Sequence, residues 1–184
     1  MNRDSHIVVI GMGYVGIPCA ALLADVPQFT VTGVQRRSER SGWKIDCLNG
    51  GRSPFEGDEP GLADLIERVV CHKKTFRVTD DYAVCRDADV ILIDESHNFR
   101  NNKSNRYDAI ERLIQLKGGK GRDGARKKVI LLSATPINND LYDLLSQLKL
   151  VTQSEPDYFR DTGIGDLDAY FRKARTLVQR TGAS

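Results

Sequence analysis

Residues 6–16, His6-Ile-Val-Val-Ile-Gly-Met-Gly-Tyr-Val-Gly16, decide the fold that this sequence predicts. An apolar run of strand length comes first, and glycines then stand at positions 11, 13 and 16. Gly11 permits a tight turn, Gly13 lets another group approach the backbone closely, and Gly16 allows a helix to pack against the strand. The stretch therefore predicts a buried strand, a turn and the start of a helix.

The same turn predicts a binding site for a dinucleotide. Backbone N–H groups at the start of a helix attract negative charge, so the pyrophosphate of a dinucleotide fits there. The spacing of the glycines, directly after a strand, is typical of such sites. The cofactor-binding residues predicted at this turn are Gly11, Gly13, Tyr14, Val15 and Gly16.

Three polar residues, Gln35, Arg36 and Arg37, follow the next predicted strand. An Asp or Glu is usual at the first of these positions, where it accepts hydrogen bonds from ribose hydroxyls. Gln35 bonds a ribose without the charge, while Arg36 and Arg37 attract a 2′-phosphate or the adenine face. These residue types are compatible with either NAD or NADP as the cofactor. The alternative interpretation is that Arg36 and Arg37 are two solvated arginines in a loop.

Strand and helix patterns alternate along the chain, which predicts a parallel α/β sheet. We predict a Rossmann-like sheet of about five strands in the order 3-2-1-4-5, with helices on both faces and a C-terminal tail helix. The alternative order inserts the last strand between the first and the fourth. Helical spacing of apolar residues is clearest over 141–148 and 167–178. The predicted strands are His6–Ile10, Thr30–Val34, Phe76–Thr79, Val90–Ile93 and Val129–Leu132.

The first half of the chain resembles a known family. Val8–Gly16, Arg37–Asp46, Glu59–Leu62 and Thr79–Asp81 are similar to stretches of nucleotide-sugar dehydrogenases, the UDP-glucose and UDP-N-acetylmannosamine dehydrogenase group. The resemblance implies a Rossmann domain that binds NAD. It also implies catalysis by a cysteine and a lysine of a later domain. None of the four cysteines lies in a Gly-Gly-x-Cys setting, so we expect no dehydrogenase turnover.

The second half resembles another family. Ile93–Asn101 and Val129–Asn139 are similar to superfamily 2 helicase-like ATPases of the Swi/Snf type. The resemblance implies that Asp94 holds Mg²⁺, that Glu95 orients water and that His97 senses the nucleotide. The sequence has no G-x-x-x-x-G-K-[ST] loop. We therefore expect neither ATPase activity nor a metal site, and two acids that end a strand are the alternative interpretation.

Charge is distributed unequally between the halves. Residues 1–94 hold 11 Lys and Arg against 14 Asp and Glu, whereas residues 95–184 hold 16 against 11. A glycine-rich basic loop over residues 117–128 predicts weak contact with a nucleic-acid backbone, and a solvated loop is the alternative. The basic residues of this loop are Lys117, Lys120, Arg122, Arg126, Lys127 and Lys128.

The cysteines and the apolar runs indicate where the protein is found. The four cysteines are widely spaced, as expected for free thiols in a reducing cytosol. No apolar run reaches the roughly 18 residues that cross a bilayer. We therefore expect a cytoplasmic protein without membrane contact.

Residues 1–94 are expected to form a dinucleotide-binding half, and residues 95–184 a helicase-like α/β half that completes the same sheet in one compact domain. The expected function is NAD-type nucleotide binding by a mosaic chain without a complete catalytic site. The alternative is a non-enzymatic, inhibitor- or antitoxin-like protein that binds a protein partner through the basic loop and the tail helix. In that case the nucleotide site is vestigial and no cofactor is required. A helicase-like ATPase fragment is the third hypothesis.

Overall fold

A computed structural model describes residues 5–57, 59–134 and 141–181. The chain divides into two compact units. The first consists of Met1–Asp94 with Leu113–Leu132, and the second of Glu95–Arg112 with Ser133–Ser184. A parallel sheet forms the centre of the first unit, whereas the second is helical.

The regular elements of the described residues agree with the predicted pattern. The strands are β1 (Ser5–Ile10), β2 (Phe29–Val34), β3 (Phe76–Thr79), β4 (Val90–Ile93) and β5 (Lys128–Leu131). The α-helices are α1 (Gly16–Asp25), α2 (Trp43–Asn49), α3 (Leu62–Glu67), α4 (Asn105–Gln115), α5 (Leu141–Val151) and α6 (Leu167–Thr181). All five predicted strands are confirmed to within one residue at each end.

The sheet has the strand order β3-β2-β1-β4-β5, and all four pairings are parallel. The predicted Rossmann-like order is therefore confirmed. The alternative order is wrong, because β4 pairs directly with β1 and β5 lies outside it. The direction of chain progression through the sheet changes between β1 and β4, which makes this the switch point of the fold.

Strand β1 lies at the centre of the sheet and is buried on both faces. Ile7 and Val9 pack into the core on one face, and Val8 and Ile10 are buried on the other. Burial on both faces explains why the strand is a continuous apolar run instead of an alternating one. Small side chains on α1 let the helix pack closely on this core; they belong to Ala20, Ala21 and Ala24.

Met12 anchors the glycine turn in the same core. Its side chain is 1% exposed and lies over Gly33 of β2. A Cβ atom on Gly33 would stand 2.6 Å from the Met12 sulfur, so this position of the strand accommodates only glycine without rearrangement. An apolar contact of Met12 thus fixes the turn, while Gly11 and Gly13 stay partly exposed.

The second unit has its own apolar core, formed between α5 and α6. Leu145 of α5 packs with Leu167 and Phe171 of α6. An ion pair of 2.8 Å between Lys149 and Asp168 also joins the two helices. The predicted helices over 141–148 and 167–178 are confirmed. No helix within the described residues is long and apolar enough to span a membrane.

Two buried hydrogen bonds tie other parts of the second unit to α5. The Ser96 hydroxyl donates to Gln147 Oε1 over 3.0 Å, and the Tyr107 hydroxyl donates to the Ser146 carbonyl over 3.0 Å. Burial raises the pKa of Tyr107. Residues 135–140, which include part of the Swi/Snf-like stretch, lie outside the described residues.

Candidate functional site

Three strand ends meet at one edge of the sheet. Ile10 of β1 is in register with Val34 of β2 and with Ile93 of β4. The residues that follow these strands are Gly11, Gln35 and Asp94. Because the strands are parallel, all three lie at the carboxyl edge, on either side of the switch point, where open α/β sheets bind ligands.

The glycines of the turn have different roles. Gly11 has a φ of +102°, which side chains disfavour. A Cβ atom on Gly16 would overlap the Gly11 carbonyl oxygen, so α1 reaches the strand only because Gly16 has no side chain. A Cβ atom on Gly13 would have a single neighbour within 4 Å, an Asp94 oxygen at 3.7 Å. The space above Gly13 is therefore the open part of the turn.

Backbone donors lie next to this open space. Within the described chain, no group accepts a hydrogen bond from the N–H of Gly13, Tyr14 or Val15. Tyr14 and Val15 are 77% and 51% exposed. These N–H groups precede α1 at the positive end of its dipole, so the arrangement can bind an anion.

Asp94 occupies one side of the turn. The backbone N–H of Gly16 donates to Asp94 Oδ2 over 3.1 Å. The backbone of Asp94 is held in place as well, because its N–H donates to the Ile10 carbonyl over 2.9 Å. A carboxylate at the start of a helix is electrostatically favourable. The structure thus places Asp94 beside the predicted dinucleotide site.

Gln35 joins the end of β2 to the turn. Its Oε1 accepts a hydrogen bond from the Met12 N–H over 3.3 Å. Its Nε2 donates to the Arg36 carbonyl and to Ser41 Oγ, each over 3.2 Å. The side chain therefore lies across the floor of the site, next to where the prediction places a ribose.

The two arginines after Gln35 differ in their surroundings. Arg37 Nε donates to Asp80 Oδ2 over 2.8 Å, and Asp46 lies 3.7 Å from the same guanidinium. The hydrogen bond from Arg37 holds the pKa of Asp80 below its usual value. Arg36 is exposed. Of the pair, Arg37 is already neutralised by carboxylates of the chain itself.

Two residues near the turn were not predicted. Lys44 of α2 donates from Nζ to the Met12 carbonyl over 3.5 Å, which brings a positive charge to the site. Phe55 stacks on Tyr14, with ring centroids 4.5 Å apart and an interplanar angle of 11°. Lys44 lies in a stretch that resembles nucleotide-sugar dehydrogenases, but no local pattern distinguishes it from a surface lysine.

The other residues suggested by the Swi/Snf resemblance lie in the second unit. Glu95 adopts a left-handed conformation with φ of +53°. Its Oε2 lies 2.9 Å from His97 Nδ1, in a geometry that does not form a hydrogen bond. His97 also lines a shallow cavity with Arg100 and Asp143. Among the described residues, no group of three or more His, Cys, Asp or Glu side chains is placed to hold a metal ion.

The basic loop lies at the opposite edge of the sheet from the glycine turn. Lys117 pairs with Asp87 over 2.9 Å, and Arg122 pairs with Asp89 over 2.8 Å. Lys127 is buried and donates to the carbonyl of Leu116, and burial lowers its pKa. Lys117, Arg122 and Lys127 are thus engaged within the chain. Lys120, Arg126 and Lys128 are exposed.

Two family models match the chain. The model described as UDP-glucose/GDP-mannose dehydrogenase family, NAD binding domain, matches residues 5–111. The model described as SNF2-related domain matches residues 65–162. A search of the curated proteins found no match.

Solved structures resemble the chain as well. The NDP-N-acetyl-D-galactosaminuronic acid dehydrogenase from Methanosarcina mazei Go1 is 35% identical, with a TM-score of 0.62 over 82% of this chain and 31% of its own. The UDP-D-ManNAc dehydrogenase from Pyrococcus horikoshii is 20% identical, with a TM-score of 0.54 over 80% of this chain and 32% of its own, and supports the fold alone. The chain thus spans about a third of the length of these proteins.

Proposed function

We propose that the chain binds NAD(H) at the Gly11–Gly16 turn, because it belongs to the UDP-glucose/GDP-mannose dehydrogenase family by its NAD binding domain. By residues 65–162 it also belongs to the SNF2-related domain family. The pyrophosphate lies over Gly13, where the turn is open. The N–H groups of Gly13, Tyr14 and Val15 donate to it.

One observation carries this proposal: the ends of β1, β2 and β4 are in register around an open glycine turn. The register brings the phosphate donors of the turn and the side chain of Gln35 to the same edge of the sheet. Lys44 adds a positive charge within reach of the phosphates. The exposed ring of Tyr14, backed by Phe55, offers an apolar wall for a base or a nicotinamide ring.

The proposed cofactor is NAD(H) in preference to NADP(H). A 2′-phosphate near the end of β2 needs a cation that is available to pair with it. Arg37 is held by Asp80 and Asp46, whose carboxylates would repel the extra phosphate, so of the two arginines only the exposed Arg36 remains to pair with it. Gln35 has both donor and acceptor atoms for ribose hydroxyls, although it must give up a bond within the chain to use them.

The proposed role is cofactor binding without sugar oxidation by these residues. The reaction needs a thiolate nucleophile. Cys85 is fully buried, and burial raises its pKa to about 11. None of the four cysteines lies in a Gly-Gly-x-Cys setting.

We also propose that the chain is a mosaic with its join at residues 90–97. The two family models overlap over residues 65–111, which include β4. A short apolar strand before acidic residues fits both parents, so β4 can serve either sheet. In this chain it pairs with β1 in the Rossmann-like order.

Calorimetric titration with NAD⁺ and NADH tests the binding proposal. The wild type is expected to bind with a Kd of about 1 mM or lower. Gly13→Ala is expected to weaken binding about tenfold or more, because a methyl group enters the space of the pyrophosphate. Gly165→Ala is the matched control, since a Cβ atom there meets nothing within 4 Å.

Two results would contradict the proposal. The first is absence of saturable binding by the wild type and by every variant of the site. The second is equal affinity of the wild type and Gly13→Ala, which would place any bound dinucleotide elsewhere.

A further inference from the structure

Asp94 places a carboxylate beside the phosphate position of the proposed site. Its Oδ2 accepts the Gly16 N–H over 3.1 Å and would lie 3.7 Å from a Cβ atom on Gly13. A Cβ atom added to Gly11 would stand 3.2 Å from the Asp94 Cβ. The side chain therefore extends over all three glycines of the turn. It rests on the same surface that a pyrophosphate needs.

The contact consumes one of the donors of the turn. The first N–H groups of a helix have no partners within it, and a bound phosphate satisfies them together. Here the Gly16 N–H is already satisfied by Asp94, whereas those of Gly13, Tyr14 and Val15 have no acceptor within the described residues. A pyrophosphate thus finds an incomplete set of donors.

Charge adds to this effect. A dinucleotide pyrophosphate carries two negative charges, and a carboxylate a few ångströms away repels both. Lys44 brings a cation to the turn, where its Nζ donates to the Met12 carbonyl. To bind the cofactor with the full set of donors, Asp94 must leave the Gly16 N–H and carry its charge away from the turn.

We propose that Asp94 acts as an internal competitor of the cofactor pyrophosphate. The inference rests on the proposed NAD(H) site and adds how that site is restrained. One hydrogen bond, from the Gly16 N–H to Asp94 Oδ2, then has two effects: it stabilises the start of α1 and it opposes binding of the pyrophosphate. Removing the charge therefore improves binding while it lowers or preserves stability.

Affinity for NADH and thermal stability of matched variants test this inference. Asp94→Asn keeps the size and an oxygen acceptor for Gly16 but removes the charge. Asp94→Ser also removes the charge and keeps a hydroxyl oxygen as a hydrogen-bond acceptor, so it provides a second variant. Asp87→Asn is the control, because it removes one negative charge at the opposite edge, where Asp87 pairs with Lys117.

Both Asp94 variants are expected to bind NADH about tenfold more tightly than the wild type, while Asp87→Asn stays within about twofold. Their melting temperatures are expected to be unchanged or lower. A residue that only capped the helix would lose stability and gain no affinity. An unchanged or weaker affinity in both variants overturns the inference.

The outcomes also separate this inference from the proposed function. If the wild type binds NADH and neither Asp94 variant binds more tightly, the dinucleotide site stands and the role of Asp94 is wrong. If a variant binds and the wild type does not, the competitor role is supported in its strongest form. If none of the three binds, the proposed function fails and the inference fails with it.

Discussion

Gly16 of α1 lies against the carbonyl oxygen of Gly11, so closely that a Cβ atom on Gly16 would overlap that oxygen. The contact sets the distance between the end of β1 and the start of α1. It differs from the situation at Gly13, where a Cβ atom meets only Asp94 Oδ2 at 3.7 Å. Two glycines of one pattern thus serve different purposes, one for packing and one for ligand approach.

Gly16→Ala is expected to destabilise the protein by about 2–4 kcal/mol, since the new methyl group forces the backbone of the turn to move. Gly13→Ala is expected to cost less than about 1 kcal/mol. Urea denaturation followed by circular dichroism measures both. Similar losses for the two variants would show that the glycines are equivalent for packing.

Asp80→Asn is expected to shift the cofactor preference toward NADP(H). The change frees Arg37 from its shortest ion pair and makes its guanidinium available to a 2′-phosphate. The ratio of Kd for NADP⁺ to Kd for NAD⁺ should fall roughly threefold or more. Asp123→Asn in the basic loop is the control. An unchanged ratio would mean that Arg37 does not lie near the ribose.

Asn49 pairs with the backbone of the edge strand β3. Its Oδ1 accepts the Val78 N–H, and its Nδ2 donates to the Val78 carbonyl, both over 2.8 Å. Asn49→Ala removes both bonds and is expected to cost about 1–2 kcal/mol in the free energy of unfolding. Asn49→Asp keeps the acceptor and loses the donor, so its loss should be intermediate at neutral pH. A loss below about 0.5 kcal/mol for Asn49→Ala would show that water replaces the side chain.

Asp25 gives the stability a defined pH dependence. Hydrogen bonds from Arg68 and Lys73 hold the pKa of Asp25 at about 2. The folded pKa is lower than the unfolded value of about 4, so the stabilisation is complete above pH 4 and is lost as the pH falls toward 2. The difference in melting temperature between the wild type and Asp25→Asn should be constant from pH 7 to pH 5. It should decrease below pH 4 and become small near pH 2. A difference that persists at pH 2 would contradict this assignment.

Much of the fold could be predicted because its signals are local. The apolar run of β1 and the glycines at positions 11, 13 and 16 are typical of one supersecondary unit, and the structure has that unit. The order of β4 and β5 was harder, since Val90–Ile93 suits either parent fold. It was predicted correctly only because the preceding strands belong to one of them.

The contacts of the candidate site were less accessible from sequence. Asp94 and Gly16 are 78 positions apart and meet only because β1 and β4 are neighbours in the sheet. The ion pair of Arg37 with Asp80 likewise depends on the ends of β2 and β3 lying side by side. Residue types indicate candidate groups for phosphate and ribose, but they do not indicate which of these groups the chain itself already occupies.

A ¹H–¹⁵N correlation spectrum during NADH titration tests the central claim most directly, because it reports on each backbone N–H separately. We expect saturable shifts that are largest for Gly13, Tyr14 and Val15, with a smaller shift for Gln35 and none for the basic loop at the opposite edge. The proposed site is contradicted if these signals stay unchanged at millimolar NADH, or if the largest shifts fall on residues 117–128.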